Sequence, residues 1–221
     1  MCALLSQISG DVTPRNITKR TPEYRAYRGV INFDNMRDLF GEDYEVIGGI
    51  YNELKDFYGH DFLFWLQFGR AEVHFDHFEV AENYLTQSLA IRDVGNFQAR
   101  HNLGVLFLKR ARFDENAATA DGDMKRGEEL LREQIAERGE IDAYPYAALI
   151  THKYRYLKAR GSPKLAEEIE NLANLAAIGI KKHPLEEAMQ EAYQEIKHAY
   201  LMRAVPAGPE ESQPQQGTSA Q

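Results

Sequence analysis

A pattern that occurs twice between Asp61 and Arg110 constrains the fold more than any other feature of the chain. Trp65-x-x-Phe68-Gly69 is followed by Ala81 and Leu85, and Leu103-Gly104-x-x-Phe107 then restates the phase, the second glycine falling 35 residues after the first. Phe62, Trp65, Leu66, Gly69 and Val73 share one helical stripe, and Ala81, Tyr84, Leu85, Ser88 and Leu89 share another. Helix, turn and helix recurring at this spacing predict an all-α fold of stacked antiparallel pairs.

The flanking sequence extends the pattern. Pro22 opens a helix capped by Thr21, with Tyr24, Tyr27, Arg28 and Ile31 at helical spacing. Asn32 to Asn35 interrupts it, and Phe33, Met36, Leu39 and Phe40 form a second short piece. Ile47, Ile50, Tyr51, Leu54 and Tyr58 make the face of a third helix, which Gly59 is expected to close with a left-handed cap. The aromatics between Tyr24 and Tyr84 read mainly as packing for this half.

Downstream, Ala111 to Asp123 is polar and reads as a surface insertion that delays the second helix of its pair, marked by Met124, Gly127, Leu131 and Ile135. Asp142 with Pro145, and Ser162 with Pro163, each read as a cap followed by a helix start. Leu185, Ala188, Met189, Ala192, Ile196 and Tyr200 form the face of a terminal capping helix opened by Pro184. Residues 1–20 read as a loosely ordered lead-in with a short helix near Ala3 to Ile8, residues 21–204 as the helical-repeat domain, and residues 205–221 as a disordered tail.

Composition narrows the function. The 221 residues are 43% hydrophobic and 27% charged, with a net charge of −8, which argues against binding along a nucleic-acid backbone. No run of about 18 apolar residues suggests a membrane span. The start of the chain lacks the marks of a secretory signal, and Cys2 is the single cysteine, so a cytoplasmic location is expected.

The pattern of Trp65, Gly69, Ala81 and Gly104 resembles tetratricopeptide repeats over roughly Asp61 to Ile180, with Ala147 and Thr151 standing for Trp and Gly in a degenerate third unit. The resemblance implies helix pairs stacked as a right-handed solenoid. The order Tyr24–Asn35, Phe62–Glu72, Ala81–Ile91, Gln98–Ala111 and Asp142–Ile150 further resembles the C-terminal helical region of bacterial STAND-type NTPases and related anti-phage defence proteins. Such a region would sense a trigger or hold an assembly. No G-x-x-x-x-G-K-[ST] phosphate loop occurs, so NTPase activity does not carry over.

The repeat resemblance also implies a ligand groove. With Trp65, Arg100 and Ala147 at the fourth position of each unit, the inner-surface slots hold Arg70 and His74, then Gln98, His101 and Lys109, then His152, Arg155 and Tyr156. No acid is among them, so an acidic peptide segment or a C-terminal carboxylate is the expected partner.

Catalysis has weaker support. His74, Asp76 and His77, flanked by Glu72 and Glu79, are metal-ligand types without HExxH spacing, and read as the polar turn between two helices. No G-x-S-x-G elbow is present. Glu128-Glu129, Glu167-Glu168 and Glu186-Glu187 read as solvated acids near helix starts. The expectation is a non-enzymatic protein- or peptide-binding module with no cofactor. The alternatives are a scaffold or homo-oligomerisation domain with an unused groove and, less favoured, a small metal-dependent enzyme built around His74 and His77.

Overall fold

The computed structural model describes residues 22–203; the lead-in, the helix near Ala3 to Ile8, the Thr21 cap and the tail lie outside the described residues. The described residues form ten α-helices and no strand: α1 Pro22–Ile31, α2 Phe33–Phe40, α3 Tyr44–Tyr58, α4 Phe62–His74, α5 Phe78–Ile91, α6 Phe97–Phe113, α7 Ala117–Arg138, α8 Tyr144–Ala159, α9 Leu165–Lys182 and α10 Glu187–Arg203.

Local chemistry sets the helix starts. The side chains of Asn32, Asp43, Asp61 and Asn116 accept hydrogen bonds from first-turn amides of α2, α3, α4 and α7. Asp142 likewise accepts from Tyr144 N at 3.0 Å. α6 differs. Its preceding Asn96 turns its amide back to Ser88 Oγ at 2.9 Å and Arg92 O at 3.0 Å, so the first turn of α6 has no side-chain cap.

Helices pair in chain order, α4 with α5, α6 with α7 and α8 with α9, while the first members also touch in succession, α4 to α6 to α8 to α10. The repeated glycines explain the first two pairings. A Cβ on Gly69 would lie 2.7 Å from Leu85 Cγ, and one on Gly104 would lie 2.8 Å from Leu131 Cγ. Each first helix therefore presses its glycine onto a leucine of its partner. Gly127, one turn before Leu131, tightens the second crossing further, because its Cβ would meet Gly104 O at 2.8 Å.

α4 is buried nearly all round, with Phe64, Trp65, Leu66 and Phe68 each at most 3% exposed, and α1, α2, α3, α5 and α6 pack around it. Tyr51 stacks on Phe68 at 4.7 Å between ring centroids, and its hydroxyl donates to Ile31 O, tying α3 to α1. Inter-pair latches continue along the stack. Lys109, near the end of α6, donates to Val73 O at 2.7 Å and meets Asp76 Oδ1 at 2.5 Å, so the first helix of one pair grips the turn of the previous one.

Several sequence expectations need correction. Ala111 to Asp123 is not a surface insertion: only residues 114–116 leave the helical path, since α6 runs to Phe113 and α7 begins at Ala117. Its polar side chains have tertiary partners, Asp123 receiving Arg110 Nε at 2.6 Å and Asp121 receiving the Tyr156 hydroxyl at 2.6 Å. Gly59 is right-handed (φ −63, ψ −5), and it is a glycine for space, because a Cβ there would lie 2.7 Å from Lys55 O and 3.3 Å from Trp65. α9 begins at Leu165 after a turn, rather than at Pro163, and Leu185 is 90% exposed rather than packed. Glu128 sits in the middle of α7 and, with Glu168, holds the buried Lys153 ammonium at 3.0 and 2.9 Å, so neither is a free solvated acid.

Candidate functional site

The eight groove residues divide into three groups. Arg70, Gln98 and His101 border one cleft of about 650 Å³, built from α1, α2, α4, the start of α6, the end of α7 and the start of α8. Lys109, His152 and Arg155 lie further along α6 and α8. His74 and Tyr156 go elsewhere: His74 pairs with Glu42 and packs on Phe33 and Phe75, while the buried Tyr156 faces α7 through Asp121. Burial, with Asp121 beside it, pushes the Tyr156 hydroxyl up to about 12, so it stays a neutral donor.

The slots hold no acid, but the neighbouring elements supply several. Asp34 of α2 receives Arg70 at 2.9 and 3.1 Å, Glu42 meets His74, Asp76 meets Lys109, and Glu195 of α10 receives Arg155 at 3.1 and 3.2 Å. A count along the first helices alone misses carboxylates that arrive from adjacent turns and from the last helix. The cations therefore stand in exposed or half-exposed pairs that solvent and salt screen.

The two histidines are different. Burial lowers the His101 imidazole to about 4, with Asp142 opposing and Arg70 reinforcing the shift. Burial again dominates at His152, lowered to about 3, and Lys109, Arg155, Arg112 and His101 press it further toward the neutral form. Thus His101, Lys109, His152 and Arg155 do share one electrostatic neighbourhood, as two neutral imidazoles among paired cations. The His101 ring borders the cleft, yet its Nδ1 is shut off from solvent and has no hydrogen-bond partner, which leaves Nε2 as the nitrogen able to serve the cleft.

The cleft also contains residues outside the repeat slots. Gln134 of α7 is 2% exposed and borders it, but its amide makes no hydrogen bond to any described residue. Arg138, one turn on, lays its guanidinium over Phe97 at 4.3 Å, and its buried Nε makes no hydrogen bond but lies 3.8 Å from Asp142 Oδ2. Gln134 carried a readable signal: it lies three residues after Leu131 and seven after Gly127, a polar residue on an apolar stripe. Arg70 and Arg138 each face a carboxylate here, Asp34 and Asp142.

The polar turn after α4 is also more ordered than expected. Glu72 is 1% exposed, receives the Tyr44 hydroxyl at 3.1 Å and holds His77 Nδ1 at 2.8 Å. Among the described residues, no three His, Cys, Asp or Glu side chains are placed to hold a metal ion. None of the described helices is long and apolar enough to cross a membrane.

Comparison of the chain with family models, with curated proteins and with solved structures finds no match in any of the three.

Proposed function

We propose that the chain is a non-enzymatic helical-repeat module that binds a protein or peptide through an acidic segment or a C-terminal carboxylate. The observation that carries this reading is the donor-rich cleft at the start of α6, where arginine, imidazole and side-chain amide groups converge in a chain of net charge −8. Its volume suits a few residues of an extended peptide, and its amides suit a peptide backbone. A role as the sensing or assembly region of a STAND-type defence system extends the proposal and rests on the sequence resemblance alone.

Fluorescence anisotropy with labelled short peptides, acidic, neutral and basic, tests the reading. Acidic peptides should bind, and binding should weaken with salt as partly exposed charge pairs do. Arg138→Glu should abolish binding while the far-UV circular dichroism spectrum is retained. Equal binding of acidic and basic peptides would sink the proposal. The scaffold reading draws on Leu201 and Met202, 56% and 59% exposed on α10, and light scattering tests it by showing a stable homo-oligomer or a monomer.

A further inference from the structure

The cleft is more selective than a basic patch, because two independent features of it lack partners. The first is the N-terminus of the 17-residue α6. The N–H groups of Phe97, Gln98 and Ala99 have no intrahelical acceptor, and Asn96, the residue placed to cap them, is committed to Ser88 and Arg92. Gly95, Asn96, Phe97 and Gln98 all border the cleft, so this end of the helix dipole opens into it. The second is Gln134, almost wholly buried against the same space with its carboxamide unpartnered.

These two features ask for different groups on one ligand. The uncapped helix start, with the Arg138 guanidinium lying over Phe97 beside it, calls for an oxyanion. Arg70 and Arg138 are each already matched by a carboxylate, Asp34 and Asp142, so the lining has little charge to spare for a doubly charged phosphate and suits a carboxylate. The Gln134 carboxamide offers a donor and an acceptor together, and the group that satisfies both is another amide. We infer that the cleft is a binding site for a carboxylate with a neighbouring amide, the carboxylate seated on the first turn of α6 and the amide paired with Gln134. In a peptide this chemistry occurs at the last residue, or at an Asp or Glu side chain beside its own backbone amide. The inference deepens the peptide-binding reading by naming the anchor and its place.

The test is an NMR titration of the ¹⁵N-labelled full chain, following the Gln134 side-chain amide and the Gln98 and Ala99 backbone amides. The probes are N-acetylglycine, its neutral amide N-acetylglycinamide, N-acetylglutamic acid 1-amide and inorganic phosphate. N-acetylglycine or the glutamate derivative should give saturable shifts at all three positions, the tighter of the two identifying a terminal or a side-chain carboxylate. N-acetylglycinamide should bind at least roughly tenfold more weakly, as loss of a charge-assisted hydrogen bond predicts. Gln134→Leu should weaken the carboxylate probe by roughly tenfold while the Gln98 shift persists at higher concentration.

The absence of saturable shifts in the unaltered chain with either carboxylate overturns the inference. So does phosphate binding as tightly as N-acetylglycine, or a Gln134→Leu variant that binds like the parent. Acidic peptides that bind while Gln98, Ala99 and Gln134 stay unmoved also overturn it, and leave the peptide-binding reading standing. Saturable N-acetylglycine shifts with no peptide bound would support the cleft and refute the peptide reading.

Discussion

Gly127→Ala is a direct test of how the second helix pair is packed. A methyl group at this position of α7 would lie 2.7 Å from Leu108 Cγ and 2.8 Å from the backbone oxygen of Gly104 on α6. Leu108 is fully buried, and the second contact is backbone, so relief requires the two helices to separate. Overpacking of this kind costs about 1–3 kcal/mol, against about 0.5–1 kcal/mol gained by replacing a helical glycine with alanine. The net loss is about 1–2 kcal/mol, a fall in Tm of roughly 2–8 °C for a chain of this size. Gly122 is the matched control, in the same helix with nothing within 4 Å of an added Cβ. Gly122→Ala should raise Tm by roughly 1–4 °C, since only the propensity gain applies. Thermal unfolding followed by circular dichroism reads both. A Gly127→Ala protein melting at or above the parent would refute the close crossing of α6 and α7.

Trp65 is 3% exposed and donates Nε1–H to Gly59 O at 2.6 Å, so Trp65→Ala should cost about 3–5 kcal/mol, and an unchanged denaturant midpoint would contradict its place in the core. Lys153→Ala should cost about 3 kcal/mol by leaving Glu128 and Glu168 without their shared cation, and the same variant carrying Glu128→Gln and Glu168→Gln should recover much of that loss. His101 and His152 have folded-state pKa values lowered to about 4 and about 3, so as pH falls through about 6.5 the unfolded chain takes up protons that the folded chain does not. Stability should therefore be full above that pH and decline by about 2 kcal/mol per histidine by about pH 5. Denaturant titrations across this range check the decline, which should flatten in a His101→Gln, His152→Gln variant; an equal decline in that variant would place the proton uptake elsewhere.

The helices were legible where period and burial agree. Ile47, Tyr51 and Leu54 on α3, and Met189, Ala192 and Ile196 on α10, are spaced for one face and are buried on it. The equivalence of Gly69 and Gly104 was legible because both are sites of close approach, though their leucine partners, Leu85 and Leu131, are unequally spaced in the chain. Ala111 to Asp123 misled because its acids resemble a solvated loop until Arg110 and Tyr156 are known to donate to them. The same blindness to distant partners hid the acids that meet Arg70, His74, Lys109 and Arg155. Repeat phase alone brought three of the eight groove residues to the cleft. The other features of the cleft follow from where α6 starts and α7 ends, which no repeat rule encodes for a pair this long.

The claim that an acidic partner binds at the first helices of the pairs is tested most directly by amide hydrogen exchange with and without a bound acidic peptide. Added protection should appear at Gln98 and Ala99 in the first turn of α6, and along the cleft-facing parts of α4 and α8. Protection confined to α5 and α9, with Gln98 and Ala99 exchanging as in the free protein, would contradict the account.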